Sequence, residues 1–198
     1  ASVLLWRVLR RLKLPGAWLA GMIFAVHPLC VASVAWIAER KNTLSIVFFF
    51  LSLLWYLRSE ADTRTPHSSG PQRRWYWLSL LAFALAMLSK QAVAAGPFVL
   101  LLLAWWRNGR IDRRDLVRAA PFFAVALVMG LVAIGFHSKL LVNPDELERP
   151  LSWPARMLGG SWAVWFYLYK SLLPMRLSAM YPRWEIDPGA PLAYLPGL

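Results

Sequence analysis

The sequence contains few of the residues and motifs on which common soluble enzymes depend. It has one cysteine in 198 residues, Cys30, which excludes an intramolecular disulfide and a cysteine-based metal cluster. It has no Gly-rich phosphate-binding loop, no dinucleotide-binding glycine pattern and no Gly-x-Ser-x-Gly nucleophile motif. Its histidines, His27, His67 and His137, are too far apart in sequence to indicate a zinc site. We therefore name no metal ligands, and these residues do not decide whether a divalent metal is required.

Charge is also scarce, and long apolar runs take its place. Asp, Glu, Lys and Arg make up 16% of the chain and hydrophobic residues 59%, whereas soluble domains contain about 25% charged residues. The mean hydropathy is +0.47. These values predict an integral membrane protein of the all-α class, a polytopic transmembrane helix bundle. The predicted membrane spans are residues 15–37, 43–57, 75–89, 91–106 and 119–136, and a Trp- and Tyr-rich segment at 153–174 fits either an interfacial or a membrane-crossing helix.

One lysine interrupts the longest apolar stretch. Residues 75–106 are predominantly apolar and are interrupted at their middle by one cation, in the sequence Ser89-Lys90-Gln91. A helix crosses a hydrocarbon layer of about 30 Å in roughly 20 residues, so a stretch of this length has to turn back near its centre. The sequence therefore predicts that Lys90 lies at the tip of a membrane hairpin, where an ionisable residue is a candidate for function.

The excess of positive charge follows the alternation of the predicted spans. A net charge of +12 would indicate nucleic-acid binding in a soluble domain. Here, basic residues occupy the segments that share one side of the membrane if each span crosses once, which predicts that this side is cytoplasmic. The lipid bilayer, and not a nucleic acid, is the predicted partner. The basic residues on this side are Arg7, Arg10, Arg11, Lys13, Arg58, Arg64, Arg73, Arg74, Arg107, Arg110, Arg113, Arg114 and Arg118.

Three segments together resemble one known family. They are His-Pro followed by Val-Ala-Trp-Ile-Ala-Glu-Arg-Lys (27–41), Leu-Ser-Lys followed by a Leu-rich run (88–103), and Trp-Pro-Ala-Arg through Tyr-Pro-Arg-Trp (153–184). They resemble the membrane domain of bacterial tetratricopeptide-repeat glycosyltransferase-like proteins, which are relatives of the eukaryotic transmembrane and tetratricopeptide-repeat O-mannosyltransferases. The resemblance implies a GT-C type fold. It also implies transfer of a mannose-like sugar from a polyprenyl-phosphate donor to a protein or other hydroxyl acceptor on the periplasmic or luminal side.

The resemblance also indicates parts that these residues do not contain. It implies that the chain is a fragment of a longer protein, with the catalytic acids in a first external loop upstream and the tetratricopeptide repeats downstream. The chain departs from the family at three positions where carboxylates are common, Ala32, Asn42 and Ala104. The expected location is a multi-pass position in the bacterial inner membrane, or in the endoplasmic reticulum of a eukaryote.

The side of the membrane opposite the predicted cytoplasmic side, here called the outer side, carries the cations that a lipid-linked sugar would need. A carrier phosphate is an anion at the membrane boundary, and its charge grows as the glycosidic bond breaks, so nearby cations stabilise it. We predict that Arg40 and Lys90 contact this phosphate and that Lys170 or Arg183 supports them. The alternative is that such cations anchor helix ends at the lipid headgroups, and it applies with most force to Lys41 and Arg156.

Further polar and aromatic residues on this side are candidates for lining the substrate site. Glu39 is the carboxylate beside the first external turn and the candidate general base, although the resemblance implies a main acid upstream, which leaves Glu39 to pair with Arg40, Lys41 or Lys90. His27 is either a proton carrier or a partner for backbone carbonyls freed by Pro28. The predicted substrate-lining set is His27, Gln91, Arg156, Tyr181 and Trp184.

A rival function uses the same residues without chemistry. A non-catalytic membrane scaffold, or a transporter or flippase of lipid-linked sugars, would also need cations to bind a lipid phosphate. Acids in an upstream external loop would favour the transferase, since sugar transfer requires them and transport does not.

Overall fold

The computed structural model describes residues 1–28, 30, 39–61, 71–140, 153–175 and 178. In this part of the chain there are helices and no strands. The α-helices are α1 (Ser2–Arg11), α2 (Ala17–Val26), α3 (Arg40–Ala61), α4 (Pro71–Ser89), α5 (Gly96–Asn108), α6 (Arg113–Leu140) and α7 (Trp153–Leu172), with a 3₁₀ helix at Gln91–Ala95 between α4 and α5. The chain divides into two units, Ala1–Lys139 and Leu140–Leu198, and each is described here by itself.

Helices α3 and α4 form an antiparallel pair at the centre of the first unit. Small buried serines allow the two helices to approach closely, as is common between membrane helices. The Ser79 hydroxyl donates to the Ser52 carbonyl at 2.7 Å, and the Ser45 hydroxyl donates to the Ala86 carbonyl at 3.0 Å. These bonds set the register of the pair, so that the start of α3 lies beside the end of α4.

The chain reverses at Lys90, in agreement with the length of the apolar stretch. Helix α4 ends at Ser89 and α5 begins at Gly96. A Cβ atom at position 96 would lie 2.7 Å from the Phe83 ring and 2.9 Å from the Phe49 ring, so only glycine allows this close approach. At the other end of α5, Arg107 forms an ion pair with Glu60 near the end of α3. Helix α5 therefore runs parallel to α3 and antiparallel to α4.

Aromatic packing attaches α6 to the α3–α4 pair. Phe122 is fully buried, and its ring centroid lies 5.8 Å from that of Tyr56, 5.9 Å from that of Tyr76 and 5.5 Å from that of Phe83. Such edge-to-face and tilted arrangements are the favoured ones for aromatic rings. One turn earlier in α6, the Arg118 guanidinium donates to the Ser59 hydroxyl at 2.7 Å. The start of α6 therefore lies beside the end of α3 and the start of α4.

The first unit consequently has two distinct ends. The end that contains Arg58, Arg107 and Arg118 is called the basic end, and the opposite end, which contains Asn42 and Lys90, is called the lysine end. Helices α1 and α2 form a hairpin beside the bundle, in which Gly21 packs against Trp6, and the buried Val8 joins α1 to the core.

Two of the described helices are long and apolar enough to cross a bilayer. An 18-residue window of Arg40–Glu60 in α3 has a mean hydropathy of 1.3, and an 18-residue window of Arg113–Phe136 in α6 has a mean hydropathy of 2.3. Only 11% of the α6 window is buried within the protein, and large side chains such as Leu127, Leu131 and Ile134 are exposed. Extensive apolar exposure is unusual on a soluble monomer, so these helices support membrane association. The first predicted span, 15–37, contains a shorter apolar helix, Ala17–Val26, and residues 29 and 31–37 of this span lie outside the described residues.

Candidate functional site

Lys90 occupies a break between two helices. Its backbone is extended, with φ of −161° and ψ of 131°, and its N–H donates to the Ala86 carbonyl at 2.9 Å as the last bond of α4. The Ser89 hydroxyl bonds back to the Leu85 carbonyl at 2.9 Å. The 3₁₀ helix then begins at Gln91. Lys90 therefore lies at the tip of the hairpin, on a backbone whose hydrogen bonds hold its position.

A hydrogen-bonded chain links Lys90 to the start of α3. The Lys90 Nζ donates to the Asn42 Oδ1 at 2.5 Å. The Asn42 Nδ2 in turn donates to the Glu39 Oε2. All three side chains are half-buried. The sequence predicts that Glu39 pairs with Arg40, Lys41 or Lys90. In the described residues Glu39 forms none of these ion pairs and instead accepts from Asn42, which lies between Glu39 and Lys90.

The amide in this chain has an electrostatic consequence. Asn42 is neutral, so its contact with Lys90 positions the ammonium without cancelling its charge. An ammonium group carries three N–H donors, and a bond to Asn42 leaves Lys90 able to donate to a second acceptor. A half-buried cation interacts with an anion more strongly than an exposed cation does, because water screens it less. The arrangement is suited to holding an anion at the tip of the hairpin.

An apolar groove lies near the tip of the hairpin and is lined by Gln91, not by Lys90. It has a volume of about 520 Å³ and lies between the end of α4 and the later part of α6. Its walls include Met87, Leu88, Met129 and Phe136, and its polar residue is Gln91, the neighbour of Lys90. An apolar groove whose polar residue adjoins a cation in sequence is suited to a lipid that carries an anionic headgroup.

The first unit also contains the predicted site residues Arg40, Gln91 and His27. Arg40 is the first residue of α3 and is exposed, and Gln91 is also exposed. His27 follows the end of α2 in an extended conformation, and its carbonyl accepts from the Cys30 N–H at 2.9 Å. The structure thus brings Glu39 and Lys90 together, and Arg40 and Gln91 adjoin them in sequence.

Lys170 belongs to the second unit, where it has local contacts. Its Nζ donates to the Met175 carbonyl at 2.7 Å, beyond the end of α7. It also lies 5.7 Å from the centroid of the Phe166 ring and 5.8 Å from that of Tyr169. A lysine in the last turn of a helix commonly binds its carbonyl end. Contact of Lys170 with a carrier phosphate stays a prediction.

Four predicted residues cannot be located in detail. Arg156 lies in the first turn of α7, but its side chain is outside the described residues. Tyr181, Arg183 and Trp184 are also outside the described residues. Their proposed roles stay predictions.

Sequence reasoning did not assign Asn42 to the site, although it noted the residue as a departure from the family. A side chain that joins Glu39 to Lys90 depends on a partner 48 positions away. The available signal was local: Asn42 follows Glu39 by three residues, a spacing at which side chains at the start of a helix meet. Among the described residues, no group of three or more His, Cys, Asp or Glu side chains could hold a metal ion.

Comparison with known proteins gives a partial match. The chain is 36% identical over 73 residues to the protein O-mannosyl-transferase TMTC4 of Mus musculus, and 38% identical over 86 residues to that of Homo sapiens. The matches cover 37% and 41% of this chain. They span only about a tenth of each curated relative, 10% and 11% respectively. No family model and no solved structure matches the chain. Part of the chain is therefore related to these transferases.

Proposed function

We propose that this chain is part of a membrane glycosyltransferase of the GT-C type, which transfers a mannose-like sugar from a polyprenyl-phosphate donor to a protein hydroxyl. The observation that carries the proposal is the position of Lys90, which is held by Asn42 and directly precedes Gln91, the polar residue of the apolar groove. The partial similarity to protein O-mannosyl-transferase TMTC4 supports the class of reaction.

In this proposal the groove and the lysine bind different parts of the donor. The isoprenoid chain lies along Met87, Met129 and Phe136, and the phosphate accepts hydrogen bonds from Lys90 and Gln91. As the acceptor oxygen bonds to the anomeric carbon, the bond from that carbon to the phosphate oxygen breaks. The polyprenyl phosphate leaves with an added negative charge, which the Lys90 ammonium stabilises. The proton of the acceptor hydroxyl goes to a base.

Glu39 has a positioning role in this arrangement. Its carboxylate accepts a hydrogen bond from Asn42 and thereby orients the amide oxygen toward Lys90. The base that removes the acceptor proton is then the acid that the family resemblance implies upstream. Arg40, exposed at the start of α3, is the second cation available to the phosphate.

The proposed orientation places the lysine end on the periplasmic or luminal side of a multi-pass protein. The segregation of charge supports this orientation, because Arg58, Arg107 and Arg118 lie together at the opposite end. Clustered arginines beside membrane helices favour the cytoplasmic side.

A binding measurement on a defined donor tests the assignment. The purified protein is titrated with polyprenyl-phosphate mannose, for the wild type and for Lys90→Ala. Loss of a charged hydrogen bond costs about 1.5–3 kcal/mol, so the dissociation constant is expected to rise roughly ten- to hundredfold. Lys41→Ala is the matched control, because Lys41 is an exposed cation at the same end. Unchanged affinity in Lys90→Ala, or an equal loss in Lys41→Ala, would show that the assignment is wrong.

A second candidate, a protein that binds or moves the lipid-linked sugar without transferring it, is favoured by one observation. The acid at this end, Glu39, is engaged with Asn42. A donor labelled in its sugar separates the two functions. The transferase releases polyprenyl phosphate and labels a hydroxyl acceptor peptide. A carrier-binding protein would bind the donor with the same affinity but leave it intact and the peptide unlabelled.

A further inference from the structure

A second cavity, unrelated to the lysine end, lies between α1 and α3. It has a volume of about 600 Å³. Four arginines line it, Arg7, Arg10 and Arg11 from α1 and Arg58 from α3. Its remaining wall is apolar and includes Leu51 and Trp55. We call it the arginine cleft. It combines four positive charges with an apolar surface.

Among the described residues, no carboxylate neutralises the charge of this cleft. Within the described residues, the ion pairs involve Arg107 with Glu60 and Arg110 with Asp112, and no carboxylate pairs with the four cleft arginines. Like charges gathered in one cavity repel each other, and water screens part of this repulsion because all four side chains are exposed. An anion in the cleft would relieve this repulsion.

Two of the arginines are held in place by aromatic rings. The Arg58 guanidinium lies 3.9 Å from the centroid of the Trp75 ring, and that of Arg10 lies 5.1 Å from the centroid of the Trp6 ring. Stacking restricts the guanidinium plane and lowers the entropy lost when it binds a ligand. Arg7 and Arg11 are exposed. Arg10 and Arg58 are exposed as well, so the cleft has four accessible cations, two of which are preorganised.

We infer that the arginine cleft binds an anionic glycerophospholipid. The guanidinium groups present paired N–H donors that match phosphate oxygens, and Leu51 and Trp55 offer an apolar surface to the first part of an acyl chain. Free phosphate would use the arginines and leave the apolar wall exposed to water, so the lipid fits the whole cavity better. The bound lipid fastens α1 to α3 at the basic end. This inference does not depend on sugar transfer at the lysine end.

Lipid binding to the purified protein in detergent tests the inference. Dioleoyl phosphatidylglycerol and dioleoyl phosphatidylcholine are compared as probes by native mass spectrometry for the wild type and for the double variant Arg7→Gln/Arg11→Gln. Basic residues near an anionic lipid contribute about 1 kcal/mol each, so phosphatidylglycerol is expected to bind the double variant at least about tenfold more weakly. Phosphatidylcholine is expected to bind both proteins weakly and equally.

Matched controls separate a site from general attraction. Arg113→Gln/Arg114→Gln removes the same charge from exposed positions at the start of α6 and is expected to retain the affinity of the wild type within about twofold, since it leaves the cleft intact. The single variant Arg11→Gln is expected to lose about fivefold, on the basis of about 1 kcal/mol per cation, and circular dichroism checks its helix content.

Three results would overturn the inference. The first is an equal loss of binding in the cleft variant and the α6 variant, which would show attraction to the whole basic end. The second is full competition by soluble glycerol phosphate at the same concentration as the lipid, which would identify a phosphate site. The third is arginine-dependent binding of a short RNA that displaces the lipid, which would identify a nucleic-acid surface.

Discussion

The basic end and the lysine end of the first unit hold their cations in different ways. At the basic end, Arg118 lies between the rings of Tyr56 and Tyr76, at 5.4 and 5.2 Å from their centroids, and donates to Ser59. At the lysine end, Lys90 donates to a neutral amide, and the next residue, Gln91, lines an apolar groove. Arg118 is therefore part of the packing, whereas Lys90 is positioned with its charge available. The number of cations at an end does not indicate which of them serves a ligand.

Removing the aromatic centre of the basic end should give the largest effect. Phe122 is fully buried against Tyr56, Tyr76 and Phe83, so Phe122→Ala is expected to lower the free energy of unfolding by about 3–5 kcal/mol. Thermal unfolding in detergent measures this loss. Phe98→Ala is the matched control, because Phe98 is 65% exposed, and its effect should be much smaller. Equal losses would mean that the Phe122 cluster is not the core of this end.

Replacing Arg118 tests whether it is part of the packing. Arg118→Gln removes a hydrogen bond to Ser59 and two ring contacts, and should cost about 2–3 kcal/mol of unfolding free energy. Arg113→Gln removes the same charge from an exposed position on the same helix and should leave the melting temperature close to that of the wild type. A larger effect in Arg113→Gln would contradict the distinction between packed and solvated arginines.

Placing a carboxylate beside Lys90 tests whether its charge is available. Asn42→Asp converts the amide contact into an ion pair worth up to about 1 kcal/mol, so the affinity for polyprenyl-phosphate mannose is expected to fall about fivefold. The loss should shrink as NaCl screens the new pair. Asn42→Ser keeps the position neutral and is expected to weaken binding less. Tighter binding by Asn42→Asp would count against the role assigned to Lys90.

The smallest effect is expected for the ion pair between Arg107 and Glu60. The Arg107 side chain is 26% exposed, and pairs of this kind contribute about 0.2–1 kcal/mol. A double-mutant cycle with Arg107→Gln and Glu60→Gln measures the coupling, which should decline at high salt. A coupling energy that is large and independent of salt would place this pair with the packed cations, beside Arg118.

Several features of the fold follow from local sequence. The break at Lys90 follows from the length of an apolar stretch, because a helix of fixed rise cannot continue through it within one bilayer. The convergence of Arg58, Arg107 and Arg118 at one end follows from the alternation of basic loops and apolar runs. These predictions use spacing along one chain and need no knowledge of which helices touch.

Other features were beyond sequence reasoning. Arg118 was counted among the loop cations, but the structure places it between two tyrosines that lie 62 and 42 positions earlier. Asn42 meets Lys90 across the α3–α4 pair. Such contacts depend on the rotation of each helix about its axis. Helices α3, α4 and α6 are apolar on most sides, so their amphipathic pattern does not set that rotation.

The sequence by itself determined the apolar character of the chain, the break at Lys90 and the sign of the charge at each end. Only the tertiary structure decided which polar group meets Lys90, which arginines are packed among aromatic rings, and that α1 and α3 enclose four arginines in one cleft. The physical reason is that hydropathy and charge accumulate along the chain residue by residue. Contacts between helices instead depend on register, which the buried serines and Gly96 set only when the helices pack.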